Sequence, residues 1–127
     1  MAAYNQINGT HATENEYIMN SILRKEYGFT GVLLSDWGGV KSTIPSLNAS
    51  LDLEMPGPGN YYEKPLRKAL KRGTISTDII DQAALRMIRL ILKTTNQREN
   101  LNNTQYQLSD VMETNKAIAR KVAEESV

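Results

Sequence analysis

Gly31-Val32-Leu33-Leu34-Ser35-Asp36 is a short apolar run that ends in a carboxylate, with Gly38-Gly39 close behind it. A continuous apolar run bounded by glycines suits a strand buried on both faces, as in a parallel sheet. Upstream, Ile18, Met19, Ile22 and Leu23 recur at helical spacing over residues 16–27. Asn15 is placed to cap that helix and Gly28 to stop it. Downstream, residues 42–48 suit a short helix that tolerates Pro45 in its first turn. Residues 49–55 read as a second buried strand interrupted by Asp52 and Glu54, and Pro56-Gly57-Pro58-Gly59 ends it. A third strand is possible over residues 1–4, and residues 9–16 read as a polar turn.

The second half is helical in pattern. Residues 62–72 form an amphipathic helix with a basic face (Lys64, Arg67, Lys68, Lys71, Arg72) closed by Gly73. Such a face is the ordinary solvated side of a helix far more often than a binding patch. Ser76 or Thr77 caps a stronger helix over 78–93, whose apolar set is Ile79, Ala83, Met87, Leu90 and Ile91. Residues 94–107 are rich in Asn, Gln and Thr and read as a linker, and a last helix spans 110–126. Strands alternating with helices argue for β/α units and a parallel sheet. Three strands cannot close a barrel that needs eight, so the chain reads as truncated.

Hydrophobic residues make up 40% of the 127 and charged residues 23%, the balance of an ordinary globular protein. Fifteen basic residues against fourteen acidic give a net charge of +1, which offers no electrostatic case for nucleic acid or an anionic membrane surface. No apolar stretch approaches the length of a transmembrane helix, and the amino terminus carries no signal-peptide pattern. There is no cysteine, hence no disulfide or thiol chemistry. Asn-x-Ser/Thr triplets at Asn8, Asn48 and Asn102 matter only for an exported chain.

The candidate chemistry lies at Ser35-Asp36-Trp37. In β/α barrels catalytic groups converge where strands run out into loops, and Asp36 has that position. An apolar strand gains nothing from an aspartate unless the group meets a ligand or a hydrogen-bond partner. The pattern alone favours a turn or capping aspartate before Gly38-Gly39 by about two to one. Trp37 beside it suits either a sugar-stacking platform or a core position.

Several blocks together resemble glycoside hydrolase family 3, of the β-glucosidase type. Residues Met1-Ala2-Ala3-Tyr4-Asn5-Gln6-Ile7-Asn8-Gly9 resemble its Met-x-Ser-Tyr-Asn-x-x-Asn-Gly segment. Leu23 to Trp37 is similar to its Leu-Arg-x-x-Trp-Gly-Phe-x-Gly-x-Val-x-Ser-Asp-Trp signature, and Asn48 to Pro56 to its Asn-Ala-Gly-x-Asp-x-x-Met-Pro segment. Residues 73–91 match a following Ala-x-x-Arg-Ile-Leu helix, and residues 119–127 the entrance to the family's second domain. Ala3, Tyr27 and Ser50 depart from the usual Ser, Trp and Gly. The Ser50 change is expected to matter most, through close backbone packing.

The resemblance implies an α/β fold: an incomplete (β/α)8 TIM barrel of about strands six to eight with their helices, plus a linker and one further helix. Residues 1–93 would be barrel, 94–108 linker and 109–127 the start of an α/β sandwich domain. It implies a retaining β-glucosidase acting on terminal β-D-glucose of small β-glucosides, with Asp36 as nucleophile. Tyr4 matches the tyrosine beside that nucleophile, Trp37 the edge of the sugar pocket, and Met1 a methionine lining the glucose subsite. Asp52 and Glu54 are expected to have structural roles near the rim. His11 is read as a solvated loop histidine. The acid/base and the early sugar-holding residues match no position here, so the isolated chain is expected to be inactive. It is also expected to associate, with itself or with a missing barrel half. Neither metal nor cofactor is implied. A full-length parent is expected to be secreted. Alternatives are a non-catalytic interaction module, or a β-xylosidase or β-N-acetylglucosaminidase of the same family.

Overall fold

The computed structural model describes residues 1–101 and 108–126, in two compact units, Met1–Lys93 and Thr94–Val127. The first unit is organised by three extended segments. Ala2 pairs in parallel with Ser35, and Leu34 in parallel with Leu53. The bonds run from Ala2 N–H to Leu34 O (2.8 Å), Asp36 N–H to Ala2 O (2.9 Å), Ser35 N–H to Leu53 O (3.0 Å) and Leu53 N–H to Leu33 O (3.1 Å). The 32–36 segment is therefore central, flanked by 1–4 and 51–55. The pairing is shorter than the sequence pattern suggests, reduced to single bridges on either side.

Burial alternates along the central segment. Leu33 and Ser35 are buried, whereas Val32, Leu34 and Asp36 are half-buried. The expected burial on both faces is thus corrected to one. Successive strand residues point to opposite faces, and only one face is packed under helices. That face carries Leu33 into a core of Met19, Val40, Ala49 and Leu51, with Ala2, Leu23, Tyr61 and Tyr62 against it.

Between the first two segments the chain makes a hairpin, β1 (Gln6–Ile7) with β2 (Thr10–His11), where a simple turn was expected. Its two turn residues, Asn8 (φ 51°) and Gly9 (φ 82°), are both left-handed, as an Asn-Gly hairpin turn requires. His11 accordingly belongs to a strand rather than a loop. A 3₁₀ turn, Ala12–Glu14, leads to a helix over Tyr17–Glu26 that is wound as a π-helix. The Asn15 side chain accepts the Ile18 N–H at 3.0 Å, as a cap should. At the other end Tyr27 N–H reaches back five residues to Ile22 O (2.9 Å), and Gly28 (φ 64°) turns the chain out.

Helix α1 (Ile44–Asn48) links the second and third segments, with Pro45 in its first turn. Ser50 follows at φ 64°. The glycine usual at this position in the family pattern thus has a conformational reason, the left-handed backbone, instead of the close packing expected. The Ser50 hydroxyl compensates by bonding to the Asn20 side chain.

Helix α2 (Lys64–Lys71) leaves its four basic residues exposed, as is Arg72 at its cap, and buries Ala69 with Leu47 and Ile75. Gly73 (φ 65°) ends it. In helix α3 (Thr77–Leu101) Ser76 Oγ accepts the Asp78 N–H at 3.2 Å, so Ser76 is the cap. α3 overruns its expected end at Lys93, so residues 94–101 of the expected linker are helical. Asn, Gln and Thr have only weak helix aversion, which an established helix easily overcomes. Residues 102–107, the rest of that linker, lie outside the described residues. Helix α4 (Leu108–Glu125) is the expected last helix. Among the described residues no helix is long and apolar enough to cross a membrane.

Candidate active site

Parallel pairing sets the geometry of the site. With Ala2 opposite Ser35 and Leu34 opposite Leu53, the carboxyl ends of all three segments fall at one edge. Tyr4, Asp36 and Met55 are the residues that arrive there.

Tyr4 Oη lies 3.0 Å from Asp36 Oδ1 and 2.8 Å from Trp37 O. A phenol carries one proton, so these two acceptors share it. The Trp37 N–H also donates to Asp36 Oδ1, at 2.7 Å. Oδ1 is thereby held by two donors, and among the described residues Oδ2 accepts none. The carboxylate is oriented and one oxygen is left for something else. Reduced hydration around the hydroxyl, then the hydrogen bond to Asp36 and its negative charge, hold the Tyr4 phenol above its ordinary value. Tyr4 therefore stays a donor at neutral pH. Tyr4 is 53% exposed and Trp37 63%, so both open to solvent beside the carboxylate.

Three of the four site residues expected from sequence are thus brought together. The fourth, Met1, is 76% exposed and takes no part in these hydrogen bonds.

The loop after the third segment is fixed by Glu54. Its Oε1 accepts the N–H groups of Asn60 (2.9 Å) and Tyr61 (3.2 Å), and its Oε2 those of Tyr61 (3.0 Å) and Tyr62 (2.7 Å). A methyl added at Gly59 would run into this carboxylate, which would have to shift from its amides.

Beneath the edge Asp52 has the structural role expected of it, in an ion cluster whose partners sequence reasoning missed. Asp52, with its side chain fully buried, pairs Oδ2 with Arg24 Nη2 at 2.8 Å and Oδ1 with Arg86 Nη2 at 2.7 Å. Oδ2 also accepts the Leu33 N–H at 2.8 Å. Arg24 donates further to Gly31 O (2.5 Å), Phe29 O (3.1 Å) and Ser50 O (3.3 Å), and its guanidinium lies over the Phe29 ring, 5.4 Å from the centroid. Burial pulls the Arg24 pKa below its ordinary value and Asp52 opposes that fall. A buried acid in an apolar strand and an arginine beside Ala83 on the inner face of α3 were the available signals. Each implies a partner without saying which.

A family model described as the glycosyl hydrolase family 3 N terminal domain matches residues 1–90. The chain belongs to glycosyl hydrolase family 3. β-Glucosidase B of Emericella nidulans is 43% identical over 94 residues, 73% of this chain and 11% of that protein. The β-glucosidase of Rhizobium radiobacter is 41% identical over 91 residues, with 72% and 11% covered. Among solved structures, the family 3 β-glucosidase of Bifidobacterium adolescentis superposes with a TM-score of 0.67 at 38% identity, covering 73% of this chain and 14% of that one. The β-glucosidase of Kluyveromyces marxianus in complex with glucose gives 0.71 at 28% identity, covering 80% and 13%. This family 3 chain therefore spans 11% of the length of the two relatives named. The Tyr4–Asp36–Trp37 cluster lies inside the matched segment.

Proposed function

We propose that this chain carries the nucleophile of a retaining β-glucosidase, that the nucleophile is Asp36, and that the substrate is a small β-glucoside. The observation that carries the reading is the oriented carboxylate: Oδ1 held by Tyr4 and the Trp37 amide, Oδ2 without a hydrogen bond among the described residues. The names of the relatives, and the glucose complex of the Kluyveromyces marxianus enzyme, supply the sugar class.

In this mechanism Asp36 Oδ2 attacks the anomeric carbon as the bond from that carbon to the leaving oxygen breaks. A carboxylic acid about 5–5.5 Å away protonates the leaving oxygen. Water then attacks the same carbon, gives its proton to that second carboxylate, and releases Asp36. Tyr4 and the Trp37 amide keep Oδ1 turned aside while Oδ2 becomes an ester oxygen. Trp37 offers its ring to the sugar or aglycone. The acid/base is, on the family resemblance, carried by a segment other than these 127 residues.

We further take residues 1–93 to be about the last three β/α units of an eight-stranded barrel. The half-buried Val32, Leu34 and Asp36 face would be its interior side. Residues 109–127 would open a second domain.

The test uses 2-deoxy-2-fluoro-β-D-glucosyl fluoride, whose leaving group departs with little help from an acid. Mass spectrometry is expected to find one fluoroglucosyl group on the peptide containing Asp36, and none in Asp36→Asn. Labelling of another residue, equal labelling of Asp36→Asn, or none even with the remaining barrel segments of a relative supplied, overturns the assignment.

A further inference from the structure

Ser35 precedes Asp36 in the chain, is 0% exposed, and has no part in the mechanism above. A serine in an apolar strand costs stability unless its hydroxyl is bonded, and here it is. Ser35 Oγ accepts the Met55 N–H at 2.9 Å and approaches the Met55 carbonyl oxygen at 3.5 Å. That same carbonyl accepts the Gly38 N–H at 2.8 Å. The backbone of one residue, Met55, therefore grips the chain on both sides of Asp36-Trp37. Behind this grip the turn is closed by Gly39 N–H to Asp36 O (3.0 Å), and buried Thr13 donates its hydroxyl to Gly39 O (3.3 Å).

The ordinary strand bonds do not do this work. Ser35 N–H to Leu53 O and Asp36 N–H to Ala2 O fix the strand up to Asp36. They leave the direction in which its side chain departs to the turn that follows. We infer that Ser35 is a positioning residue for Asp36, its hydroxyl forming the side-chain half of a clamp on Met55 that aims the carboxylate at Tyr4. The inference rests on the reading of Asp36 as nucleophile for its importance, but its geometry is testable without any glycosidase activity.

With alanine at position 35 the Met55 N–H loses its acceptor and only the Gly38 arm of the clamp remains. The reporter is Tyr4, whose hydroxyl bonds to the Asp36 carboxylate. In the full chain labelled with ¹³Cζ-tyrosine and assigned through Tyr4→Phe, Asp36→Ala defines the Tyr4 resonance without its carboxylate. Ser35→Ala is expected to move the Tyr4 resonance toward that position. Ser35→Thr, which keeps the hydroxyl, should restore it. Ile75→Val, a core truncation in the other apolar cluster, should leave it in place. An unmoved Tyr4 signal in Ser35→Ala overturns the inference, as does one that ignores Asp36→Ala. A second measurement needs no variant: Met55 and Gly38 amides are expected to be protected from hydrogen exchange in the native chain, and free exchange at both overturns the clamp. A Tyr4 signal that follows Ser35 in a protein whose Asp36 is never glucosylated would sink the nucleophile reading and leave the clamp standing.

Discussion

Asp36 and Asp52 sit on neighbouring parallel segments, and the structure treats them oppositely. Asp52 is fully buried, with both oxygens committed to Arg24, Arg86 and the Leu33 amide. Asp36 is half-buried at the open end of its segment, with one oxygen held and the other spare. The difference separates a carboxylate consumed by the fold from one that, on the proposed reading of Asp36, the fold leaves for chemistry. A buried charge must be paired to be tolerated, and that pairing ties the π-helix and α3 to the third extended segment. A reactive charge must keep a lone pair out of the network.

The sharpest way to break this contrast is to truncate each aspartate in turn. Asp52→Ala strands two largely buried guanidinium groups and an amide, and is expected to cost about 3–5 kcal/mol, enough to unfold much of the population. Asp36→Ala should cost about 1 kcal/mol or less, as expected for a residue outside the packed core. Urea denaturation of the two variants measures both; equal losses would erase the distinction.

A third carboxylate, Glu54, sharpens it. Gly59→Ala should push Glu54 off the three amides that it caps and cost about 1–3 kcal/mol. Gly57→Ala meets open space and should cost little. The Gly59 penalty should shrink in a Glu54→Ala background, since one clash cannot be counted twice. Thermal melts of the four variants test this, and an undiminished penalty would show that Gly59 has another reason.

The smallest expected effect is on alkaline stability. The Tyr62 hydroxyl donates to Leu51 O at 2.9 Å, and burial, then the charges of Asp52 and Glu54, push its pKa upward. The folded chain then keeps a proton that the unfolded chain loses above pH 10.0, the ordinary value. Stability is whole below that pH and falls above it, by at most about 1.4 kcal/mol per pH unit for this group. Tyr62→Phe should flatten the decline in denaturation curves between pH 9 and 11 (roughly the tyrosine range). An unchanged slope would show that Tyr62 does not govern the decline.

Much of the first unit was legible in the residues. Gly28 and Gly73 mark left-handed helix ends, Asn15 is a cap, and Pro45 lies in a first turn, because these effects depend on the backbone of a few adjacent residues. The apolar run to Asp36 foretold a parallel segment, and the family pattern paired Asp36 with Tyr4. What was misread was either local or distant. The Asn8-Gly9 dipeptide signals the hairpin, although the polar residues 9–16 read as a simple turn. The extension of α3 through residues 94–101 was hidden by polar side chains that a helix tolerates. The partners of Asp52 lie 28 residues before it and 34 after it, too far for any sequence spacing to join.

The residues by themselves determined most helix boundaries, the end of α3 excepted, which strand ends in a carboxylate, and which family pattern they follow. Those features rest on torsion preferences and side-chain periodicity within a dozen neighbours. Only the tertiary structure decided which of two aspartates keeps a spare oxygen, which face of the central segment is packed, and that Met55 grips the turn around Asp36. Those outcomes depend on groups brought within about 3 Å by packing, the range at which hydrogen bonds and buried charges act.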